Sequence, residues 1–200
     1  MPARFVYWMN VSLDGRIEAV PGEHGGPDAP GWIRIDDVLH QEFNDRARAM
    51  TLSIEGRVVR DMMDPYWPDA RYDEDLTPVE REYGEIWTAQ PKVLVSRTRT
   101  EADHDTRVVG ADGDAIEQLA RIRAEGSGDV GVGGADLGGQ LLDAGLIDEL
   151  LLFVHPAVLG TGRPLFDPPA SGSRPPLLLD LLETKAFANG VVLLRYEVRH

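Results

Sequence analysis

Apolar residues fall into short runs that alternate with longer amphipathic segments along most of the chain. The first run, at residues 4–12, is almost continuously apolar and aromatic, which is typical of a strand buried on both faces. Segment 36–50 instead has apolar residues at helical spacing, among them Leu39 and Phe43. The pattern predicts strands at 4–12, 51–55, 92–96, 107–109, 129–132 and 149–159, and helices at 36–50, 57–63, 78–89, 114–124 and 135–144.

The pattern changes near the end of the chain. Two strands are predicted at 177–187 and 191–198, and Gly190 between them is typical of an antiparallel hairpin. No internal repeat and no linker is recognisable. The sequence therefore predicts one α/β domain over residues 1–200, with a mixed, mostly parallel central sheet flanked by helices and a C-terminal antiparallel hairpin.

A glycine-rich turn joins the strand at 129–132 to the helix that follows it. Gly133 and Gly134 leave the main chain uncovered, and the helix N-terminus adds positive potential, so the segment suits a phosphate group. A plain tight turn is the alternative. The dinucleotide fingerprint of doubly wound domains does not fit, because its third glycine falls on Asp136.

The amino-acid composition narrows the range of possible functions. The net charge of −14 argues against nucleic acid and anionic membranes as partners, although a local arginine cluster can still hold an anionic cofactor. The absence of cysteine excludes disulfides, thiolate metal ligands and thiol catalysis, and we expect no metal site. No apolar run is long enough to span a bilayer and no signal peptide is recognisable, so we expect a cytoplasmic protein.

Four segments, taken in order, resemble the dihydrofolate-reductase-like family and, within it, the reductase domain of bacterial riboflavin biosynthesis. Residues 10–17 (NVSLDGRI) look like the family's opening S-L-D-G element, and Gly56-Arg57 resembles its G-R-x-T element. Residues 133–137 are similar to its glycine loop. Residues 146–166, with L-I-D-E-L, H-P, L-G-x-G and P-L-F, are similar to its closing signature. The ordered set spans almost the whole chain.

The resemblance implies a dihydrofolate-reductase-like fold and an NADPH-dependent reductase that acts on a small heterocycle, pteridine- or pyrimidine-like, usually as a homodimer. It also implies which residues hold the cofactor: Gly56, Arg57, Ser96, Arg97, Gly133, Gly134, Ala135, Asp136 and Leu137.

Six arginines divide into three pairs by expected role. Arg57 and Arg97 suit the extra 2′-phosphate of NADPH, because guanidinium groups bind phosphate well. We expect Arg60 and Arg99 to be solvated surface charges. Arg34 and Arg163 are the candidates for an anion site on the substrate side.

Two details concern the phosphate contacts. The family usually has threonine where this chain has Val59, so a hydroxyl that could bind phosphate is missing. The family also commonly has a cis peptide in its glycine pair, and the resemblance predicts one between Gly133 and Gly134.

Reduction of a C=N bond also needs a proton, and carboxylates are the best candidates. We expect Asp14, Asp37 and Asn10 to be the catalytic residues, with Asp36 as an alternative to Asp37; both could equally be residues that start a helix. Residues 16–31 are predicted to act as a lid. Trp32 either closes the pocket or anchors the core, and His155 is expected to be structural.

Four functions remain open from the sequence. The first is an NADPH-dependent reductase of a pteridine- or pyrimidine-like heterocycle, and the second is the riboflavin-pathway reductase itself. The third is a non-catalytic or differently specialised NADP-binding module. The fourth is an unrelated α/β phosphate-binding protein, which would lack a strong preference for NADPH over NADH. Deamination is excluded, because the zinc motif of the deaminase half is absent.

Overall fold

Eight strands pair into one sheet in the computed structural model, which describes residues 1–19, 31–167 and 176–200. The strands are β1 (Arg4–Ser12), β2 (Leu52–Gly56), β3 (Lys92–Val95), β4 (Thr106–Val109), β5 (Asp129–Gly133), β6 (Glu149–His155), β7 (Leu179–Ala186) and β8 (Val192–Val198). Their order is β4-β3-β2-β5-β1-β6-β8-β7.

The first six strands in this order, from β4 at the sheet edge to β6, are parallel to one another. β8 runs antiparallel to β6, and β7 runs antiparallel to β8. This arrangement confirms the predicted mixed, mostly parallel sheet with a C-terminal antiparallel hairpin. Parallel strands need crossover connections, and a helix lies in each of them except between β3 and β4, which residues 96–105 connect without a helix.

The helices are α1 (Asp37–Ala49), α2 (Arg57–Met63), α3 (Trp67–Ala70), α4 (Pro78–Ala89), α5 (Ala115–Glu125) and α6 (Ala135–Asp143). Local signals explain where several of them begin. Asp36 accepts a hydrogen bond from the backbone of Leu39 at the start of α1. Thr77 and Glu80 form a capping box at the start of α4.

Alternation along the strands divides the core into two layers. Phe5 and Tyr7 of β1 face one side, where they pack with Leu119 of α5 and Leu141 of α6. Val6 faces the other side, in a cluster that includes Leu39, Phe43, Phe153 and Leu193. Both faces of the central strands are therefore buried, which explains the continuous apolar runs in the sequence.

The two largest differences from the predicted elements are at residues 156–159 and 67–70. The strand predicted to end at residue 159 ends at His155, because Pro156 has no N–H to continue the ladder. Residues 67–70, for which the sequence pattern predicts no helix or strand, form the short helix α3. None of the helices that the structure describes has the length and apolar character needed to cross a membrane.

The predicted cis peptide between Gly133 and Gly134 is wrong. Across the described residues every peptide bond is trans. The chain turns instead through Gly134, whose φ of 104° and ψ of 131° only glycine adopts readily. A trans bond avoids the roughly 3–4 kcal/mol that a cis bond costs outside proline.

Candidate functional site

Three of the predicted cofactor segments meet at one edge of the sheet, where the parallel strands end. In the register, Glu55 of β2 lies opposite Gly133 of β5, and Gly56 lies opposite Val95 of β3. Ser96 and Arg97 directly follow β3. The glycine loop, the Gly-Arg element and the Ser-Arg pair are thus neighbours, on the edge where open α/β sheets place their ligand crevices.

The glycine loop leaves backbone exposed at the start of α6. Gly134 is the N-cap residue, and no side chain caps the helix. A Cβ on Gly56 would lie 3.8 Å from the Leu137 Cβ, so Gly56 faces the first turn of α6. Val59 packs beside the glycine pair, with its Cγ2 3.3 Å from where a Cβ on Gly134 would stand. An apolar group therefore borders the loop at the position of the family's threonine.

The predicted phosphate arginines differ in their surroundings. Arg57 is exposed, and its Nη1 lies 2.9 Å from Oδ2 of Asp61. Arg99, expected to be a solvated charge, is also exposed but pairs with the other oxygen of Asp61 at 2.6 Å. Arg97 is exposed. The buried Ser96 Oγ accepts hydrogen bonds from the backbone of Thr98 and Arg99, which fixes this turn.

The expectation that Arg60 is a solvated surface charge is wrong, because its side chain is completely buried. Its guanidinium lies 5.1 Å from the ring centre of Trp87, 3.0 Å from the Asp64 carboxylate and 3.6 Å from the Glu55 carboxylate. The indole of Trp87 also donates to Glu55, at 3.1 Å. Cation–π contact and ion pairing together compensate for the loss of hydration.

Lys92 completes this buried cluster. Its Nζ lies 4.3 Å from the ring centre of Trp87 and donates to the carbonyl groups of Trp87 and Gln90. Burial lowers the pKa of Lys92 to about 8, opposed by the negative charge of Glu55. Burial also raises the pKa of Glu55. The cluster therefore supports the start of the Gly56-Arg57 element from beneath.

A second polar group lies where β1 and β6 end. His155 is fully buried, and its Nδ1 accepts a hydrogen bond from the backbone N–H of Arg34 at 3.0 Å. Its Nε2 therefore carries the proton and donates to Oδ1 of Asn10, also at 3.0 Å. Trp32 packs edge-on against the imidazole, with ring centres 5.7 Å apart. His155 thus orients Asn10 and docks the segment around Trp32.

His155 should make the protein less stable in acid. Burial lowers its folded pKa to about 4, whereas the unfolded imidazole has a pKa near 6.5. The unfolded state takes up the proton first, so stability falls as the pH drops from about 7 towards 4, by about 2 kcal/mol between pH 7 and pH 5.

Chemical denaturation of the wild type and of His155→Gln, at several pH values, measures this contribution. Glutamine can keep both hydrogen bonds but does not titrate, so the variant should lose that part of the pH dependence. Equal pH dependence in the two proteins would contradict the assignment.

Asp14 joins two loops. Its carboxylate accepts hydrogen bonds from the Ser12 hydroxyl and from the backbone of Leu159 and Gly160. These bonds lower its pKa to about 2, so Asp14 is an anion at neutral pH. The backbone of Ile17 also donates to Arg163, which fastens the same two loops together.

Other predicted site residues lie in different settings. Asp37 is exposed in the first turn of α1, and Asp36 is the N-cap there. Arg163 pairs with Asp136 of α6 at 2.5 Å and with Asp167 at 3.1 Å. Of the predicted lid, residues 20–30 lie outside the described part of the chain.

Comparisons with known proteins agree on one family. The model of the RibD C-terminal domain matches residues 5–193. The uncharacterized protein YyaP of Bacillus subtilis is 29% identical over 194 residues, which cover 96% of this chain and 94% of that protein.

Solved structures agree on the fold. A putative riboflavin biosynthesis protein from Shewanella sp. PV-4 superposes with a TM-score of 0.68 at 20% identity, covering 100% of both chains. A dihydrofolate reductase from Enterococcus faecalis, complexed with NADP(H), superposes with a TM-score of 0.60 at 11% identity, covering 98% of this chain and 97% of that one. The chain belongs to the RibD C-terminal domain family, a reductase-like family with the dihydrofolate reductase fold.

Proposed function

We propose that this protein is an NADPH-dependent reductase of a small pteridine- or pyrimidine-like heterocycle. One observation carries the proposal. Gly56, Ser96 and the Gly133–Gly134 loop come from three separate parts of the chain and lie at neighbouring strand ends, beside a helix N-terminus that no side chain caps. Such an edge presents unpaired N–H groups and positive potential to an anion.

The pyrophosphate of the cofactor would lie on the glycine loop and the first amides of α6. A Cβ at Gly134 would reach towards Val59. Glycine at this position therefore leaves the backbone of the loop open to the pyrophosphate. Asp136 carries a negative charge in the first turn, but its ion pair with Arg163 offsets that charge. Ala135 and Leu137 are buried and hold the turn against the sheet.

The 2′-phosphate would lie on the other side of the crevice. Arg57 begins α2 directly after Gly56, and Arg97 follows the buried Ser96. Both arginines are exposed, and the Arg57 guanidinium also pairs with Asp61. Two arginines on adjacent strand ends give NADPH an advantage that NADH, without the 2′-phosphate, does not share.

The bound cofactor would supply the hydride, and the residues near the end of β1 would orient the reacting groups. His155 holds Oδ1 of Asn10, which leaves the amide NH₂ of Asn10 as a donor towards a substrate or the nicotinamide. Because Asp14 is ionised and tied to the neighbouring loop, we assign it the shaping of the site. Asp37 remains the proposed proton donor.

The direct test is a titration of the purified protein with NADPH, followed by a turnover screen with folates, pterins and ribosylaminopyrimidine phosphates. Turnover of the last class alone would identify the riboflavin-pathway reductase. Tight NADPH binding without turnover would favour a non-catalytic NADP-binding module, which Val59 beside the glycine pair makes a reasonable second candidate.

Asp37→Asn should slow turnover without changing the Kd of the cofactor if Asp37 supplies the proton.

Replacing Arg97 with alanine should weaken NADPH binding by about ten- to 150-fold and leave NADH binding within about twofold. The reason is that a charge-assisted phosphate contact contributes roughly 1.5–3 kcal/mol and only NADPH carries the phosphate. Fluorescence titration with both cofactors measures the two Kd values. The control is Arg199→Ala, which removes an exposed arginine paired with Asp180 at the far edge of the sheet. Equal losses for both cofactors would remove Arg97 from the phosphate site.

A further inference from the structure

We propose that the carboxylate of Asp61 competes with the 2′-phosphate of the cofactor and thereby limits the preference for NADPH over NADH. This inference rests on the proposed function. It concerns a residue that has no expected role in binding, on the exposed side of α2.

The geometry places one carboxylate between two arginines from different elements. Oδ2 of Asp61 binds Nη1 of Arg57 at 2.9 Å, one turn earlier on α2. Oδ1 binds Nη2 of Arg99 at 2.6 Å, and Arg99 lies in the turn after β3. Each oxygen holds one guanidinium, so Asp61 gathers the two positive charges as a bridging anion does.

The same turn carries Ser96 and Arg97. Because Ser96 Oγ accepts from the backbone of Arg99, the arginine held by Asp61 is fixed to the segment proposed to bind the 2′-phosphate. A phosphate that binds Arg57 and Arg97 must therefore enter the neighbourhood of an anion that already partly neutralises this cluster.

The exposure of the three side chains makes this competition reversible. Arg57 is 61% exposed, Arg99 41% and Asp61 36%. Ion pairs this exposed are each worth less than about 1 kcal/mol, so a phosphate with two negative charges can displace the carboxylate. NADH has no 2′-phosphate and leaves the pairs intact.

Removing the carboxylate charge should therefore favour NADPH selectively. In Asp61→Asn, NADPH should bind about five- to tenfold more tightly at low salt, since one unit charge a few ångströms away contributes about 1 kcal/mol in water and the phosphate is nearly a dianion. NADH affinity should stay within about twofold, and the gain should shrink at 0.5 M salt because exposed charges are screened.

The experiment measures Kd for NADPH and NADH with the wild type, Asp61→Asn and the matched control Asp180→Asn. Asp180 also forms an exposed pair with an arginine, Arg199, but it lies on β7 at the opposite edge of the sheet. The control should leave both affinities unchanged. The double variant Asp61→Asn with Arg99→Ala should keep only part of the gain, because the freed Arg99 adds to the positive charge around the phosphate.

The outcomes separate the two proposals. Binding of both cofactors with an unchanged ratio in Asp61→Asn overturns the role of Asp61 and leaves the proposed function standing. Weaker NADPH binding in that variant also overturns it, and would make Asp61 a residue that positions the arginines. Failure of every variant and of the wild type to bind either cofactor overturns the proposed function itself.

Discussion

Replacing Gly134 with alanine is expected to weaken NADPH binding by about 100-fold, the loss of roughly two charge-assisted backbone hydrogen bonds. Gly134 has a φ of 104°, which an L-residue rarely adopts, and the new Cβ would stand 3.3 Å from Val59. The turn must therefore relax, and the first amides of α6 move away from the pyrophosphate. Isothermal titration with NADPH measures the loss.

The matched control is Gly145→Ala, just past the other end of α6. Gly145 also has a positive φ, 67°, but a Cβ there would meet no atom within 4 Å. The control should lose about 1 kcal/mol of stability from backbone strain and keep its cofactor affinity. If Gly134→Ala bound NADPH as tightly as the control does, the glycine loop would not be the pyrophosphate site.

Replacing Gly138 with alanine should lower the free energy of unfolding by about 3 kcal/mol, the upper part of the usual range for overpacking a core. Gly138 lies on the buried face of α6, where a Cβ would stand 2.3 Å from the ring of Tyr7. Tyr7 is itself buried in β1 and has no room to withdraw. Urea denaturation measures the change.

The neighbouring residue supplies the control. Gly139 is in the same helix, and a Cβ there would meet nothing within 4 Å. Gly139→Ala should therefore raise stability by about 0.5–1 kcal/mol through helix propensity alone. Adding Tyr7→Val to Gly138→Ala should recover part of the loss, because the smaller side chain makes room for the methyl group. Equal effects at the two glycines would contradict the close packing of α6 on β1.

The sequence predicts those features that local physical chemistry determines. The capping box of Thr77 and Glu80, the continuous apolar run of β1 and the Gly190 hairpin are each encoded within a few residues, and the structure has them all. The convergence of the cofactor segments could also be anticipated, because consecutive parallel strands end at one edge. The resemblance added the order of those segments.

Other features depend on contacts between distant residues. The bond from His155 to Asn10 joins positions 145 residues apart, and the buried Arg60 lies against Trp87 of α4. A charged side chain in a short helix is usually exposed, and for Arg60 tertiary packing overrides that rule. The spacing of Arg60 and Asp64 is the one local signal that pointed to a paired side chain.

The buried cluster around Trp87 has a consequence for how this chain can diverge. Glu55, Arg60 and Lys92 share one enclosed space, and removing Arg60 leaves the buried Glu55 carboxylate without its ion-pair partner, at a cost of about 3–5 kcal/mol. Substitutions there are strongly coupled. We therefore expect these residues to be replaced together in evolution. The buried cluster next to Gly56-Arg57 should accumulate substitutions more slowly than the surrounding surface.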